Sequence, residues 1–258
     1  MQISVFGGFG WIRTFGSSND EGIVAGLFGS TPPGLVINQT TGEIYTAGYF
    51  SGVMDIDPTA GSMPVSFSGS TDFFVQKLTS GGAFVWGKAF GSSGADAAND
   101  ITIDLNGNPH VVGVFQNTID FDPDVALTAN LTAPGTTKHG FVLKLTAVGN
   151  YAWAANAGSL TAGGGNVTAN GITTGINNEV YYTGSFTQNI DFDPDPVNIV
   201  NLSCINDNDG FIGGLDNTGA FLWVKQIGNN NLTEGILSLG ICTDVANAIY
   251  TCGQFEGA

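Results

Sequence analysis

Charged side chains are scarce in this sequence, and basic ones are the scarcest. The 258 residues include 22 Asp and Glu but 6 Lys and Arg, so the formal net charge is −16. Charged residues make up 11% of the chain, against roughly 25% in ordinary soluble domains. So acidic a chain repels phosphate backbones and anionic lipid surfaces. We therefore expect neither nucleic acid nor an anionic membrane among its partners.

Long apolar runs and helical patterns are also missing. No apolar run approaches the ~20 residues that span a bilayer, and no segment shows the i, i+3, i+4, i+7 spacing of an amphipathic helix. We expect no membrane insertion and little or no helix. The start, Met1 to Phe6, lacks the basic and apolar regions of a signal peptide. The 39 glycines, about twice the average share of ~7%, favour strands and tight turns.

Cysteine is rare and irregularly spaced. Cys204, Cys242 and Cys252 form an odd set without metal-ligand spacing, so zinc is not predicted. Cys242 and Cys252 fall on the two arms of one predicted hairpin, where a cross-strand disulfide is one alternative. Three free, buried thiols are the alternative that we prefer.

One pattern recurs four times along the sequence. Its first landmark is a tryptophan, with an aromatic residue two positions earlier and a glycine five positions later. These positions are Phe9, Trp11 and Gly16; Phe84, Trp86 and Gly91; Tyr151, Trp153 and Gly158; and Phe221, Trp223 and Gly228. Matches at the same offsets in every copy, at nearly even intervals, indicate one repeated structural unit.

A glycine followed two positions later by phenylalanine forms a second landmark, and a glycine or asparagine stands six positions before it. The landmark glycines are Gly48, Gly113, Gly184 and Gly253, and the preceding residues are Gly42, Gly107, Asn178 and Asn247. Gly and Asn best tolerate the positive φ that a tight hairpin turn demands. The spacing therefore predicts a hairpin in every copy.

Two further landmarks occur in three copies each. One is a β-prone run that ends in leucine, at Asp72–Leu78, His139–Leu145 and Asp209–Leu215. The other is Asp-x-Asp-Pro, which begins at Asp55, Asp120 and Asp191. Because this segment falls between the second and third β-prone runs of its copy, we expect it to project from a rim of the fold.

Each copy contains four short β-prone runs, separated by glycine, asparagine and proline. In the second full copy they are roughly 100–104, 110–115, 140–145 and 151–155. Four strands in every copy predict an all-β fold, a β-propeller of four-stranded blades. We take residues 1–258 as one propeller segment of about four repeats, each of roughly 65–75 residues. A parallel β-helix or a sandwich explains the four-strand period less well.

The copies do not begin and end at a blade boundary. With strands a to d counted outward from the axis, the sequence supplies a lone d strand at Trp11, three full blades, and a final a–b pair that stops near Phe255. A four-bladed ring closed by joining the two ends would lack one c strand. We therefore predict a partial ring from a longer propeller.

One run of residues resembles a known family. Gly140-Phe141-Val142-Leu143-Lys144-Leu145, then Trp153, then Tyr182-Thr183-Gly184, is similar to the SBBP-type β-propeller repeats of bacterial secreted and surface proteins. The Asp-Phe-Asp-Pro insertions resemble variants from Bacteroidetes-like secreted proteins. The resemblance covers almost the whole chain and implies an extracellular or cell-surface location. It implies no reaction, because blades rather than an activity define that family.

Carboxylates at alternate positions are the first candidate site. They are Asp120, Asp122 and Asp124; Asp191, Asp193 and Asp195; and Asp55 with Asp57. In an extended chain such residues share one face, and calcium favours several oxygen ligands. An EF-hand is excluded, because its glycine position holds Val125 or Pro196. Two interpretations stay open: a calcium site, or a turn that Asp-Pro starts and the intervening aromatic residue anchors.

Catalytic residues are not indicated. His110 and His139, the two histidines, occupy positions that hold Tyr or Asp in other copies, so they are interpreted as variable repeat positions. The sequence has no Gly-x-Ser-x-Gly elbow and no phosphate-binding loop. Paired carboxylates serve glycoside hydrolysis, but an active site is singular, whereas Asp-x-Asp-Pro recurs. The Trp and Phe landmarks indicate blade core rather than a ligand platform.

The function that these patterns favour is a non-catalytic binding, adhesion or scaffold module of a secreted or cell-surface protein. Its ligand would be a protein or a glycan on acidic rim loops, and its only candidate cofactor is calcium. The alternative is a structural subunit of a filament or surface assembly, whose partners are neighbouring copies or segments of the same protein. A third hypothesis, a polysaccharide lyase or hydrolase, needs a non-repeated polar constellation at the axis, and the sequence shows none.

Overall fold

The computed structural model describes residues 34–133, 137–158, 165–195, 197–204, 208–228 and 235–255. All regular elements in these ranges are β-strands. No helix in this part of the chain is long and apolar enough to span a membrane. The strands form three four-stranded antiparallel sheets, a further hairpin that matches the first half of such a sheet, and three small insertion hairpins.

The three sheets are successive blades, and each is made of strands in the order a, b, c, d. The first blade contains β1 (Gly34–Ile37), β2 (Ile44–Phe50), β5 (Asp72–Leu78) and β6 (Phe84–Phe90). The second contains β7 (Ala97–Ile103), β8 (Pro109–Phe115), β11 (His139–Leu145) and β12 (Tyr151–Asn156). The third contains β13 (Val167–Thr174), β14 (Val180–Phe186), β17 (Asp209–Leu215) and β18 (Phe221–Ile227).

The remaining strands form hairpins. The fourth a–b hairpin pairs β19 (Ile236–Thr243) with β20 (Ile249–Phe255). Each blade also carries an insertion hairpin between its b and c strands. These are β3 (Met54–Asp55) with β4 (Pro64–Val65), β9 (Asn117–Asp120) with β10 (Asn130–Ala133), and β15 (Asn189–Asp191) with β16 (Asn201–Ser203).

The predicted β-propeller of four-stranded blades is confirmed. The four strands predicted for the second copy are β7, β8, β11 and β12. Strand β7 begins three residues earlier and ends one residue earlier than predicted, and each of the others is one residue longer at one end. The lone d strand predicted at Trp11 lies outside the described residues. The partial ring therefore stays a prediction.

Both faces of the second blade are buried, because it lies between the first and the third blades. We call the contact between the first and second blades the first junction, and that between the second and third blades the second junction. Successive residues of a strand point to opposite faces, so Val111 of β8 joins the core of the first junction and Val112 that of the second. A strand buried on both faces needs a continuous apolar run, which explains the low charge content.

Aromatic rings fill the first junction. Phe73 of the first blade stacks on Phe141 of the second, with ring centroids 4.8 Å apart, and on Phe90 at 4.9 Å. Phe121, from the second insertion hairpin, packs against Phe141 at 5.2 Å. Each buried phenylalanine contributes roughly 1.5–3 kcal/mol. The blades are therefore held together mainly by the side chains between them.

The landmark glycines of the b strands allow a bulged a strand to approach closely. Strand β7 shifts register between Ala98 and Asp100, and a Cβ on Gly113 would lie 2.0 Å from the carbonyl oxygen of Ala97. The same bulge recurs in β13, where a Cβ on Gly184 would lie 1.8 Å from a backbone oxygen. Any larger residue would push the two strands apart.

The bulged residues also link successive a strands. The amide of Asn99 donates to the carbonyl oxygen of Ala169 in the next blade (2.8 Å), and that of Asn170 donates to Ser238 (2.9 Å). The hydroxyl of Thr174 donates in the opposite direction, to Ile103 (3.0 Å). Neighbouring blades are thus held in register by polar contacts at the a strands as well as by apolar packing.

Trp86 and Trp153 pack against the apolar cores of the two junctions, which agrees with the blade-core interpretation, and they also join neighbouring blades. Trp86 Nε1 donates to the carbonyl oxygen of Ala147 in the next blade (3.2 Å), and Trp153 Nε1 to that of Asn217 (3.1 Å). Both indoles are half-buried. Each ring lies over a glycine of the next blade's c–d turn, Gly149 or Gly219. We call this arrangement the tryptophan latch.

The a–b turns adopt the predicted backbone conformation. The φ angles of Gly42, Gly107, Asn178 and Asn247 are 74°, 76°, 63° and 64°. The side chain of Asn178 also accepts the N–H of Leu105 in the preceding blade (3.0 Å). Asn178 therefore forms part of its own a–b turn and also binds the a–b turn of the preceding blade.

Replacement of the glycine under a tryptophan latch should destabilise the fold. Gly219 has a φ of +87°, and a Cβ there would lie 2.8 Å from the Trp153 ring. We expect Gly219→Ala to cost roughly 1–3 kcal/mol and to lower the Tm measured by circular dichroism. Gly107→Ala is the matched control, since Gly107 also has a positive φ of +76° but a Cβ there would lie no closer than 3.4 Å to any described neighbour. Equal Tm values for the two variants would contradict the latch.

Candidate functional site

The first aspartate of each Asp-x-Asp-Pro segment closes its own insertion hairpin. One oxygen of Asp120 accepts the N–H groups of Asp122 (3.0 Å) and Ala129 (2.8 Å). This ties the start of the segment to the returning strand. The matching bonds join Asp191 to Asp193 and Val200, and Asp55 to Asp57 and Met63.

The following aspartates form consecutive side-chain turns. Asp122 accepts the N–H of Asp124 (2.9 Å), and Asp124 accepts that of Ala126 (3.0 Å). Such turns are a common role of aspartate in loops. The matching bonds join Asp193 to Asp195, Asp195 to Val197, and Asp57 to Thr59.

The residue between the first two aspartates anchors the insertion. Ile56, Phe121 and Phe192 are completely buried. Phe192 packs on Phe211 of the third blade, with ring centroids 4.7 Å apart. The turn-and-anchor interpretation is therefore confirmed, and the insertion lies against the blades instead of simply projecting from a rim.

The structure does not gather the predicted calcium ligands into one site. Within the described ranges no three acidic, histidine or cysteine side chains are placed to hold a metal ion. Each carboxylate of the segments accepts a hydrogen bond from its own hairpin instead. Calcium binding by these aspartates stays a prediction.

A cleft of about 450 Å³ opens beside β6, the d strand of the first blade. We call it the first cleft. The insertion of the second blade forms one wall, and the turn between β11 and β12 forms another. Its lining includes Lys88, Asp122, Asp124, Leu127, Asn150 and Tyr151.

An equivalent cleft of about 540 Å³ opens beside β12, the d strand of the second blade. We call it the second cleft. Its walls are the insertion of the third blade and the turn between β17 and β18. Its lining includes Ala154, Ala155, Asp193, Asp195, Gly219 and Phe221.

The two clefts share a framework but differ in charge. Lys88 stands two residues after its tryptophan and lines the first cleft, whereas Ala155 occupies that position in the second. No basic side chain is among the described residues that line the second cleft. Asp193 is 8% exposed, while its counterpart Asp122 is only half-buried. The second cleft therefore carries a more deeply buried carboxylate and lacks the lysine that lines the first cleft.

The histidines are packing residues. His110 is completely buried and stands edge-on to Trp153, and its Nδ1 lies 3.1 Å from the carbonyl oxygen of Asn108. Burial, and then the positive charge of Lys144, lowers the pKa of His110 to about 4. His139 is also buried, and both its ring nitrogens lack partners among the described residues. Burial lowers its pKa to about 4. Both rings are therefore neutral at physiological pH.

A buried acid begins strand c of the first blade. One oxygen of Asp72 accepts the N–H of Ser68 (2.9 Å), and the other is buried without a partner in the part of the chain that the structure describes. Gly91, five residues after its tryptophan, makes room for this carboxylate, since a Cβ there would lie 1.9 Å from it. Burial raises the pKa of Asp72 to about 7, against the Ser68 hydrogen bond and with a contribution from Asp96.

The three cysteines form no disulfide, but two of them are not buried as expected. Cys204 is buried, while Cys242 and Cys252 are exposed on β19 and β20. Cys242 pairs with Tyr250 and Cys252 with Gly240. The two thiols are therefore diagonal to each other, and the cross-strand disulfide is not formed.

Among known proteins, the chain is similar to an uncharacterized WD repeat-containing protein of Acanthamoeba polyphaga mimivirus. The two are 23% identical over 224 residues, which cover 77% of this chain and 16% of the viral protein. The chain thus spans less than a fifth of that protein's length. No family model matches the chain. Neither comparison indicates a catalytic family.

This similarity agrees with the fold, because WD repeats are four-stranded propeller blades. The repeat here departs from the WD pattern in two respects. Gly87, Ala154 and Val224 follow the tryptophans where that pattern has aspartate. The period is also longer than the ~40–45 residues of a WD repeat, and the insertion hairpins account for much of the difference.

The clefts are what sequence reasoning missed. Each is assembled from a d strand of one blade and two loops of the next, which are far apart in the sequence. A signal was available in the residue two positions after each tryptophan, where Lys88 and Ala155 differ. Asn99 and Asn170 also stand at one fixed offset before their landmark glycines and were not recognised as links between blades.

Loss of a hairpin-closing carboxylate should lower stability with or without calcium. Asp191→Ala leaves two backbone N–H groups without an acceptor, which costs roughly 1–3 kcal/mol each when they are buried. We expect a clear fall in Tm, and a smaller one for Asp191→Asn, which keeps an acceptor. The melts are recorded in calcium and in chelator. A calcium-dependent rise in the wild-type Tm that Asp191→Asn abolishes would support the calcium hypothesis, and no shift would remove it.

Neutralisation of Asp72 should stabilise the protein at high pH. Its pKa is raised when folded, so its favourable contribution is complete below pH 3.8 and is lost as pH rises through about 7. We expect Asp72→Asn to raise the Tm at pH 8 by several degrees and to lose this advantage towards pH 4. The wild type and the variant contain the same two histidines, so the effect of histidine protonation on the Tm cancels when the two Tm values are subtracted.

Asp209→Asn is the control for this experiment, at the same position in the third blade. Its carboxylate accepts a hydrogen bond from Gln226, so the variant should lower the Tm instead of raising it. A gain at pH 8 that is equal in both variants would show that burial of an unpaired Asp72 oxygen is not the cause.

Proposed function

We propose that this chain is a non-catalytic binding or adhesion module that presents acidic clefts at its blade junctions to a protein or glycan. The support is the recurrence of one cleft framework at two successive junctions with different residues at its variable positions. Binding residues are commonly carried by loops on a rigid scaffold. Here the insertion hairpins and c–d turns are the loops, and the blades are the scaffold.

Rigidity of the junctions supports this proposal. The cleft walls come from two blades, so a binding surface requires that the blades keep their relative positions. The tryptophan latch and the asparagine links at the a strands both join backbone of one blade to side chains of another. Their positions beside and behind the clefts favour a preorganised surface, which lowers the entropic cost of binding.

The proposed location is extracellular or on the cell surface, in a protein with SBBP-type repeats. The support is the resemblance of the run from Gly140 to Leu145 and of the Asp-Phe-Asp-Pro insertions to such repeats. The acidic charge of the chain suits an exposed, soluble surface. Calcium bound by the insertion aspartates belongs to the same proposal.

A second candidate is a structural subunit that pairs with neighbouring copies or segments. The observation that favours it is the exposure of β20. Tyr250 is 55% exposed and Cys252 is exposed, whereas their counterparts Tyr45 and Ala47 in β2 are completely buried. Within the described ranges β20 pairs only with β19, and such a strand edge is a ready template for another strand.

The binding proposal is tested on peptide and glycan arrays. The probes are the labelled wild-type protein and the double variant Asp124→Asn/Asp195→Asn. Asparagine still caps the turn but removes one charge from each cleft, so we expect about tenfold weaker binding to the spots that the wild type recognises. Asp244→Asn is the matched control, an exposed aspartate that caps a turn outside the clefts through Ala246 and Ala248.

Sedimentation of the same wild-type sample separates the two candidates. A monodisperse protein that recognises defined spots supports the binding module. Ordered polymers support the structural subunit. A monodisperse protein without a ligand on either array contradicts the binding proposal.

A further inference from the structure

We propose that the second cleft is a lysine-binding site, which receives the side chain of a lysine from a basic segment of a partner protein. This deepens the proposed function and rests on it. The first cleft, with its own lysine, would not bind such a segment equally well. The two clefts would therefore differ in specificity although their framework is the same.

The buried charge of Asp193 is the first argument. Its side chain is 8% exposed, and within the described ranges its Oδ1 accepts the N–H of Asp195 at 3.0 Å. The two ion pairs among the described residues use Lys77 and Lys144, and neither involves Asp193. A carboxylate withdrawn from water without a positive partner is costly. A cationic ligand in the cleft would remove that cost.

A buried hydroxyl oxygen near Asp193 lacks a partner among the described residues. The hydroxyl of Tyr182 is completely buried and makes no hydrogen bond within the described part of the chain. Burial, and then the negative charge of Asp193, raises the pKa of Tyr182. The counterpart of Tyr182 in the second blade is Val111, so the first junction has no such hydroxyl. Tyr182 is not among the described residues that line the second cleft, so the three N–H donors of an ammonium group would meet the carboxylates of Asp193 and Asp195 there.

The remaining walls suit the aliphatic part of a lysine. Ala154, Ala155 and the Phe221 ring line the second cleft together with the two carboxylates. Lysine buries its methylene chain along apolar surface while its ammonium group stays at a polar end. Asp195 is exposed and adds a second negative charge to the lining, which would attract a basic segment from solution.

The first cleft carries a lysine of its own, although this lysine forms no ion pair within the described part of the chain. Lys88 lines it together with Asp122 and Asp124, and the second cleft has Ala155 at the same repeat position. The chain itself thus places a lysine in one cleft and leaves the equivalent volume open in the other. A bare metal ion fits the second cleft less well, because among the described residues no third acidic ligand accompanies its two carboxylates.

The test uses the full chain and a capped peptide of alternating lysine and glycine, measured by isothermal titration at low salt. The control peptide has glutamine in place of lysine. We expect the lysine peptide alone to bind, and Asp193→Asn to weaken its binding at least tenfold. Asp122→Asn, at the same position in the first cleft, should change the affinity less than twofold. Added salt should weaken binding, as for any pairing of exposed charges.

A gain-of-charge variant gives an independent readout. Ala155→Lys should place an internal lysine in the second cleft, as Lys88 does in the first, and abolish peptide binding. Ala155→Met has a side chain of similar length without charge and should keep most of the binding. Circular dichroism melts verify that each variant is folded, and the Asp193→Asn result decides the matter if Ala155→Lys does not fold.

Three results would overturn the proposal. Equal losses in Asp193→Asn and Asp122→Asn would show that the peptide senses only the overall acidity. Equal effects of Ala155→Lys and Ala155→Met would show that volume, not charge, matters. Tighter binding of calcium or of free 1,5-diaminopentane than of the peptide would identify a different occupant. If ligands found on the arrays still bind the Asp193→Asn variant, the binding-module proposal holds and only the lysine-site proposal is wrong.

Discussion

Contact between blades is the constraint on which the rest of this structure depends. The b and c strands of the three sheets are buried at nearly every position, so most of their side chains are apolar or small. Val111 and Val112 are adjacent in the sequence yet belong to the cores of two different junctions. A blade alone would expose both sets of side chains to water, and only its neighbours remove that cost. The junctions therefore determine composition, stability and the position of every cleft.

Polar groups at the junctions follow from the same constraint. A charge between two buried faces needs a partner, and Lys144 finds one in Asp104 at 3.1 Å and a further acceptor in the carbonyl oxygen of Asn217. His110 stays neutral because burial disfavours its charged form. In the tryptophan latch the half-buried indole ring packs against apolar side chains, and its N–H donates to a carbonyl oxygen of the next blade. Asp72, Asp191 and Asp193 are buried without an ion pair among the described residues, and Asp193 also lines the second cleft.

The fold was predictable because repetition makes each copy a check on the others. Gly and Asn at the a–b turns identified hairpins, and their positive φ angles agree with that reasoning. The tryptophans were correctly used as markers, yet their role between blades was missed, since the partner of Trp86 lies 61 residues away at Ala147. The exposure of Cys242 and Cys252 was also missed, because the sequence of a strand does not show whether the next strand covers it.

By itself, the sequence determined the class of fold, the register of the repeat, the turns and the absence of helical pattern. These features depend on local spacing. Side chains of a strand alternate between its two faces, and a tight turn restricts which residues can occupy it, so each leaves a pattern among neighbouring residues. Only the tertiary structure showed that the aspartates form turns, because carboxylates at alternate positions suit a metal site and a series of turns equally well. It also decided the clefts, because Lys88 or Ala155 meets the acidic insertion of the following blade only once two blades have packed together.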